Sequence, residues 1–260
     1  MRIFGFEIKR EVEEADNVPV SFAEPQNDDG AITVGNAMGG FYGTFLDMEG
    51  NAKTESELVT KYRVMAMQPE ITQGIDEVVN EAISVSSDDK TVEIVLDDTD
   101  LPDKVKNKVT EEFENVLTLL DFQNAAYEIF SKFYVDGRLN YHMMIDNEDL
   151  KQGIVEVRYV DPRKLKLIRE VDKRQKDQHS GIPVKKVKAE YYMYSENGFG
   201  ADRSSSATQG TQGYKIAKDS VARVTSGLMN ETNSLVLSYL HPAIKPLNQL
   251  RMLEDATVIY

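Results

Sequence analysis

The chain has 260 residues, 41% of them hydrophobic, which is enough to bury one large core or two modest ones. Its formal charge of −14 has the wrong sign for a protein that coats nucleic acid by neutralising phosphates. The absence of cysteine and the wide spacing of the three histidines exclude disulfides, a cysteine nucleophile and a local zinc motif, so no metal or cofactor site is predicted.

Residues 1–53 are predicted to form an extended, flexible arm. They combine acidic runs and two prolines with apolar residues that follow no period, and such a segment is ordered mainly against a partner. The glycine-rich stretch around Gly39 lacks the preceding strand and the spacing of a phosphate-binding loop. No stretch of the chain reaches the roughly 20 apolar residues that span a bilayer, so we expect a soluble protein made inside the cell.

Helical periodicity begins at Thr54, which has the spacing of a capping box with Glu57. Pro69 suits the first turn of a second helix. Helical spacing assigns these residues to the buried faces of the two helices: Leu58, Tyr62, Met65, Ile71, Ile75, Val78, Val79 and Ala82.

The segment TVEIVL, residues 91–96, alternates and is predicted to be a half-buried strand. The aspartates that follow it lack the glycine and the terminal glutamate of a calcium loop, so we interpret them as a solvated acidic turn before a helix. Pro102 opens that helix, and a second apolar stripe continues it past Asp121. The two stripes, which should pack together, contain Val105, Val109, Phe113, Val116, Leu117 and Leu120, then Phe122, Ala125, Ala126, Ile129, Phe130 and Phe133.

Beyond the turn dipeptide Asp136-Gly137 the period changes from helical to strand-like. Leu139, Tyr141 and Met143 alternate with more polar neighbours. Further strands are predicted at GIVEVRYV, KLKLI, KVKAEYYMY and DSVARV, with Asp161-Pro162 separating the first two. Residues 196–213 contain no residue that could anchor them in a core and are predicted to be a mobile loop.

The segment from Arg163 to Lys188 runs against the acidic balance of the chain. It contains ten lysines or arginines and three acidic residues, a net charge of +7. One interpretation is a solvated face beside the strands, and the other is an electrostatic contact with an acidic neighbouring subunit, another acidic protein surface or DNA. The residues predicted to make such a contact are Arg163, Lys164, Lys166, Lys185, Lys186 and Lys188.

The last predicted element is a helix from about Pro242, with Ile244, Leu247, Leu250 and Leu253 at helical spacing. Its apolar pattern still runs at Tyr260 without a stop signal, so we expect that the natural product is longer.

Four blocks in this order resemble the portal, or head-to-tail connector, proteins of contractile-tailed (myovirus-type) bacteriophages. They are YRVMAMQPEITQGIDEVVNEAI from Tyr62, AYEIFSKFYVDGRLNYHMMID from Ala126, GIVEVRYVDPRKLKLIRE from Gly153 and SYLHPAIKPLNQLRMLEDATVIY from Ser238. The resemblance covers the N-terminal half of such a protein, without counterparts of its clip, tunnel loop and crown.

The resemblance implies an α+β wing-type fold: helices, then a mostly antiparallel sheet, then the start of a long stem helix. The implied division is an arm at 1–53, a wing domain at 54–237 and the stem at 238–260. It also implies a structural, non-enzymatic subunit of a ring, expected to be twelve-fold, in the virion at one capsid vertex.

The partners implied by the resemblance are identical subunits, the major capsid protein, neck and tail connector proteins, and the packaging motor (terminase). Double-stranded DNA would pass through the channel without specific binding, and no membrane is involved. The chain would be made in the cytoplasm of the host bacterium. No phosphate-binding loop of the GxxxxGK[ST] type occurs, as expected if a separate protein hydrolyses ATP.

The resemblance also implies which residues act as scaffold or contact neighbouring subunits. These candidates are Tyr62, Pro69, Glu70, Asp76, Glu77, Asn80, Asp136, Gly137, Arg138, Asp161, Pro162, His241, Pro242, Lys245, Leu247, Asn248 and Glu254.

Two other classes of protein stay open at this point. A stand-alone interaction module would bind an acidic or nucleic-acid partner through the basic segment and behave as a compact monomer. A hydrolase would use Asp136, His142 and a serine, and would lose its activity when His142 alone is changed.

Overall fold

The computed structural model describes residues 29–35, 55–83, 91–146, 148–149, 152–176, 183–199, 213–231, 233 and 235–259, with short strands at 2–3, 6–7, 45–46 and 52–53. Within this part of the chain, none of the helices has the length and apolar character needed to cross a bilayer. Thr54, Gly39 and residues 200–212, on which three of the predictions above fall, lie outside the described residues.

The described helices lie mainly in the first half of the chain. They are α1 (Glu55–Ala66), α2 (Pro69–Ala82), α3 (Asp103–Leu119), α4 (Phe122–Asp136) and, near the end, α5 (Ile244–Ile259). Pro69 occupies the first turn of α2, where a backbone N–H is not required. The predicted continuous helix is divided at Asp121, whose backbone is left-handed with φ of 47°, and Gly137 ends α4 with φ of 71°.

The described strands lie mainly between α4 and α5. They are β1 (Arg2–Ile3), β2 (Phe6–Glu7), β3 (Ile32–Gly35), β4 (Phe45–Leu46), β5 (Ala52–Lys53), β6 (Arg138–Ile145), β7 (Ile154–Tyr159), β8 (Leu165–Lys176), β9 (Pro183–Tyr194), β10 (Tyr214–Ala217) and β11 (Val221–Thr225). A four-stranded sheet has the order β10-β9-β8-β3 and a three-stranded sheet the order β11-β6-β7, while β1-β2 and β4-β5 are separate pairs. Only β3 and β8 pair in parallel among them, so the predicted α+β class with a mostly antiparallel sheet is confirmed.

The helices enclose one hydrophobic core with the start of α5. Leu58, Tyr62 and Met65 of α1 are buried there, as their common helical face predicts. The remaining buried members of this core are Ile75, Val79, Val135, Leu240, Ile244 and Leu247. The first turn of α5 is therefore seated on α1, α2 and α4.

A second core lies under the four-stranded sheet and includes a residue of the predicted arm. Ala31, which is 1% exposed, packs with Leu165, Leu167, Tyr192 and Val221. The following strand, β3, pairs with residues 168–171 of β8. This part of the predicted arm is thus ordered against the chain's own sheet, a pairing that the irregular sequence pattern did not predict.

Several local predictions are wrong. Residues 91–96 form no strand, and Val92 and Val95 are exposed there. On α2, Val78 and Ala82 are exposed, because the core reaches only the face that carries Ile75 and Val79. The predicted packing of the α3 stripe against the α4 stripe is confirmed, but no side chain of α3 is fully buried by it. Strand β10 was not predicted.

Two adjacent valines on α2 provide a test of this packing. We expect Val79→Ala to lower the free energy of unfolding by roughly 2 kcal/mol, because Val79 is fully buried and its removed methyl groups leave a cavity. Val78→Ala is the matched control: Val78 is 37% exposed, so the same change there should have little effect. Urea unfolding monitored by circular dichroism measures both, and equal losses would contradict the packing described here.

Candidate subunit interfaces and buried charge clusters

An arginine on α1 forms ion pairs with two aspartates that belong to different elements of the fold. Arg63 donates from Nε to Asp136 Oδ1 at 2.9 Å and from Nη2 to Asp136 Oδ2 at 2.7 Å, which is a two-pronged contact. Its Nη1 donates to Asp161 Oδ2 at 2.9 Å. Asp136 ends α4, and Asp161 caps the 3₁₀ turn Pro162–Lys164 that separates β7 from β8. One guanidinium therefore fixes three elements relative to each other.

The two carboxyl groups of this cluster titrate differently. Burial raises the pKa of Asp136 and outweighs the contacts from Arg63, which lower it. Burial also acts to raise the pKa of Asp161, but hydrogen bonds from Arg163 and Arg63 outweigh that effect and hold its pKa well below the usual range. The ionised Asp161 therefore stabilises the fold at neutral pH, and this contribution is lost as the pH falls below the ordinary pKa of an aspartate.

A second buried cluster ties α1 to the three-stranded sheet. Arg138, the first residue of β6, is 1% exposed and forms an ion pair with Glu55 of α1. Its Nη2 also donates to the carbonyl oxygen of Val236 at 2.6 Å. Arg223 of β11 approaches Glu55 Oε1 at 4.0 Å. Burial and, to a smaller extent, the nearby charge of Arg223 together lower the pKa of Arg138 to about 9.

Gly137 allows the chain to pass close to the segment before α5. A Cβ atom at this position would lie 2.5 Å from the carbonyl oxygen of Leu237 and 2.8 Å from Cα of Ser238. The Gly137 carbonyl oxygen accepts a hydrogen bond from the backbone N–H of Ser226 at 2.8 Å. The glycine is therefore required by both its left-handed backbone and its lack of a side chain.

Tyr62 and His241 join α1 to the residues that lead into α5. The Tyr62 hydroxyl and His241 Nδ1 are 2.8 Å apart, and the rings meet edge to face with centroids 6.0 Å apart. Leu247, one turn into α5, is buried in the same core. These three interface candidates thus make contacts within the chain itself, where they fix the start of α5 against α1.

Most of the remaining interface candidates face outward. Asp76 accepts a hydrogen bond from the Tyr127 hydroxyl, and Asn248 is half-buried. The exposed candidates are Pro69, Glu70, Glu77, Asn80, Pro242, Lys245 and Glu254. They lie on α2, just before α5 and on α5, and their contact with another subunit stays a prediction.

The structure divides the predicted electrostatic residues between interior and surface. Arg163 pairs with Asp161 at 2.8 Å. Lys166 is 6% exposed, with Nζ 4.6 Å from the centroid of the Phe199 ring, and burial lowers its pKa to about 8. Lys188 is exposed on β9, which also carries Lys185 and Lys186. The buried Lys166 is thus unsuited to an electrostatic surface contact.

A pocket of about 410 Å³ lies where the two larger sheets meet. Its lining residues are His142, Arg158, Tyr159, Val160, Asp161, Lys164, Leu165, Tyr194, Ile216 and Val221. The lining includes neither a serine nor Asp136, whose carboxylate is occupied by Arg63. The three groups proposed for a hydrolase are therefore not brought together in this pocket.

Comparison with known proteins identifies the family. The family described as Bacteriophage T4-like portal protein (Gp20) matches residues 55–260. The portal protein of Vibrio phage KVP40 is 35% identical over 270 aligned residues, covering 100% of this chain and 52% of the relative. The portal protein of Salmonella phage ViI is 35% identical over 223 residues, covering 83% of this chain and 40% of the relative. The chain belongs to the T4-like portal protein family.

The resemblance to portal proteins is thus confirmed. The chain spans about half the length of the portal relatives it matches, 52% and 40% of the two named here. The match to the portal family begins at Glu55, which is both the first residue of α1 and the partner of Arg138.

Sequence reasoning missed the partners of several predicted residues in this portal chain. Arg63 and Glu55 were not singled out, although they neutralise Asp136 and Arg138. A similar pairing on the four-stranded sheet, in which Arg169 contacts Glu190 and Asp29, was also missed. Arg63 and Asp136 are 73 positions apart, so no local spacing could have indicated their contact.

The Arg63 cluster can be tested by removing its shared cation. We expect Arg63→Ala to destabilise the chain by roughly 3 kcal/mol or more, because it leaves the buried Asp136 carboxylate without its ion pair. Arg158→Ala is the control, since Arg158 pairs with Glu156 on the exposed surface and should contribute little. Denaturant unfolding would measure both, and an Arg63→Ala variant as stable as the control would contradict the role assigned to this cluster.

Proposed function

We propose that the chain is a structural subunit of a phage portal ring, and that the ring forms the channel through which the genome enters and leaves the capsid. Family membership supports a structural role, since portal proteins are structural components of phages. The proposed partners are identical subunits, the major capsid protein, neck and tail proteins and the packaging motor. The proposed location is the portal vertex of the virion.

The observation that best supports assembly is the exposure of the later turns of α5, which follow the buried residues Ile244 and Leu247. Every described side chain from 251 to 259 is exposed. Four of these residues are large and apolar: Met252, Leu253, Val258 and Ile259, with exposures of 72%, 64%, 86% and 82%. A helix with this composition normally packs against another protein surface.

The exposed apolar residues of α5 occupy two faces. At about 100° per residue, Val258 continues the face of the buried Leu247. Leu253 lies roughly 120° to one side of that face, and Met252 and Ile259 lie roughly 120–140° to its other side. A helix placed between two neighbours in a ring requires such a pair of faces, because each subunit of a closed ring uses two different surfaces. We therefore assign one face of α5 to each neighbour.

The proposed channel agrees with the charge of the chain. Each phosphate that a protein neutralises releases counterions and adds affinity, which would oppose the sliding of DNA. A chain with a net charge of −14 avoids general attraction of this kind. The exposed candidates on α2 and α5, including Glu70, Glu77 and Glu254, are proposed to contact neighbouring subunits rather than DNA.

Two substitutions on α5 test the ring directly. Leu253→Glu and Met252→Glu each place a charge on one apolar face, so each variant alone should fail to form rings. A mixture of the two should form complexes of two chains, because one intact pair of faces remains. Native mass spectrometry and negative-stain images of the purified full-length protein would measure the assemblies.

The control for both variants is Gln249→Glu, which adds a negative charge at an exposed position between the two faces of α5. This variant should assemble like the unmodified chain. If the unmodified full-length protein is a compact monomer at every concentration, the ring proposal is wrong and a stand-alone interaction module becomes the better description.

A further inference from the structure

The long hairpin formed by β8 and β9 extends beyond the rest of its sheet. Strand β3 ends at Gly35, opposite Val171 of β8, and β10 pairs only with Tyr191–Tyr194 of β9. The two strands continue as a pair out to Lys176 and Pro183. Residues 172–176 and 183–188 are therefore a two-stranded ribbon, called the basic ribbon below, whose outer part has no third strand among the described residues.

The basic ribbon concentrates the positive charge of an acidic chain. It carries six lysines or arginines and one aspartate, a net charge of +5, so the rest of the chain carries −19. Its sequence also includes Pro183, Val184 and Val187, which makes it both cationic and partly apolar. A lone pair of strands is only marginally stable in water, so a ribbon of this length is expected to lie against a surface.

A surface of complementary character lies before and at the start of α3. Asp97, Asp98, Asp100 and Asp103 are all exposed, and none of them forms a hydrogen bond or ion pair with another side chain in the described part of the chain. Large apolar side chains lie among these carboxylates: Val95, Leu101 and Val105 are 70%, 43% and 43% exposed. An exposed apolar patch rimmed by polar groups is typical of a protein contact site.

The two surfaces belong to different parts of the fold. Helix α3 packs against α4 and β7, whereas β8 and β9 pack against each other and against β3, β10 and the 3₁₀ turns. Because the ribbon and the acidic patch are complementary but separate, a second copy of the chain can supply to each the partner that it lacks. This is the head-to-tail arrangement that closes a ring.

We propose that the basic ribbon of one subunit docks on the acidic patch, residues 95–105, of the next subunit. The inference rests on the proposed ring and names one of its contacts. A second copy is favoured over DNA as the occupant because the −19 charge of the remaining chain repels a polyanion, while the same charge attracts the ribbon of a neighbour.

Charge exchange tests this contact. The ribbon variant K185E/K186E/K188E and the patch variant D97K/D98K/D100K should each weaken self-association by at least about tenfold at 0.1 M salt, because like charges then face each other. The chain that carries all six substitutions should associate again. Sedimentation velocity of the purified full-length protein over a concentration series would measure the association.

The control is K104E/K106E/K108E on α3, which changes the net charge as much as the ribbon variant does but adds the negative charge within the acidic patch and next to it. It should associate at least as well as the unmodified chain. If the control and the ribbon variant weaken association equally, only net charge matters and the docking inference is wrong.

Other outcomes separate this contact from the ring itself. Rings that form undiminished in both single-surface variants would overturn the docking contact and leave the portal proposal standing. A ribbon variant that loses binding to duplex DNA but keeps its self-association would identify DNA as the occupant instead. An unmodified full-length protein that never associates would overturn both proposals.

Discussion

The contact of Arg63 with Asp136 and Asp161 holds the two halves of this fold together. Its two-pronged bond to Asp136 fixes α1 against the end of α4, and its bond to Asp161 fixes both against the turn between β7 and β8. Removing these groups from water is costly, and such a cluster persists only when its geometry satisfies every charge. Its effect is to define the orientation of the helices relative to the sheets, which hydrophobic packing alone defines less sharply.

The neighbouring contacts extend that rigid arrangement to α5. Arg138 and Gly137 bring β6 against residues 236–238, and Tyr62 meets His241 just before α5 begins. The direction in which α5 leaves the core is thus set by α1, which is itself set by Arg63. For a subunit whose proposed role is to place a helix between two neighbours, this direction determines whether a ring can close.

Periodicity predicted the elements that have a buried face and failed where burial depends on distant partners. The spacing of Leu58, Tyr62 and Met65 correctly placed α1 in the core, because the helix offers one apolar face. The alternation in residues 91–96 is the pattern of a half-buried strand. A strand also needs a neighbouring strand to pair with, and the described part of the chain provides none there. On β6, Arg138 and Asn140 are buried along with Leu139, since this central strand is covered on both faces and alternation does not apply.

The residues of the candidate site were also predictable only in part, because their partners are distant in sequence. The resemblance to portal proteins singled out Asp136, Gly137, Arg138, Asp161 and His241. The structure places them where α1 and the elements around it meet, with Asp161 and His241 half-buried. Their partners Arg63 and Glu55 lie on α1 at sequence distances that no local motif encodes. The sequence therefore indicated where the chain is constrained, whereas only the fold showed that the constraint is electrostatic.

The two projecting parts of the molecule have a common physical requirement. A two-stranded ribbon and the outer turns of a helix gain little stability in water by themselves, because neither buries enough apolar surface to offset the loss of conformational entropy. The basic ribbon and α5 both extend from a core whose buried charges hold it rigid, and both present groups that match a second surface. If neighbouring subunits supply those surfaces, the final ordering of each chain and the closure of the ring are the same event. Assembly would then be cooperative, since each added subunit stabilises the exposed elements of the one before it.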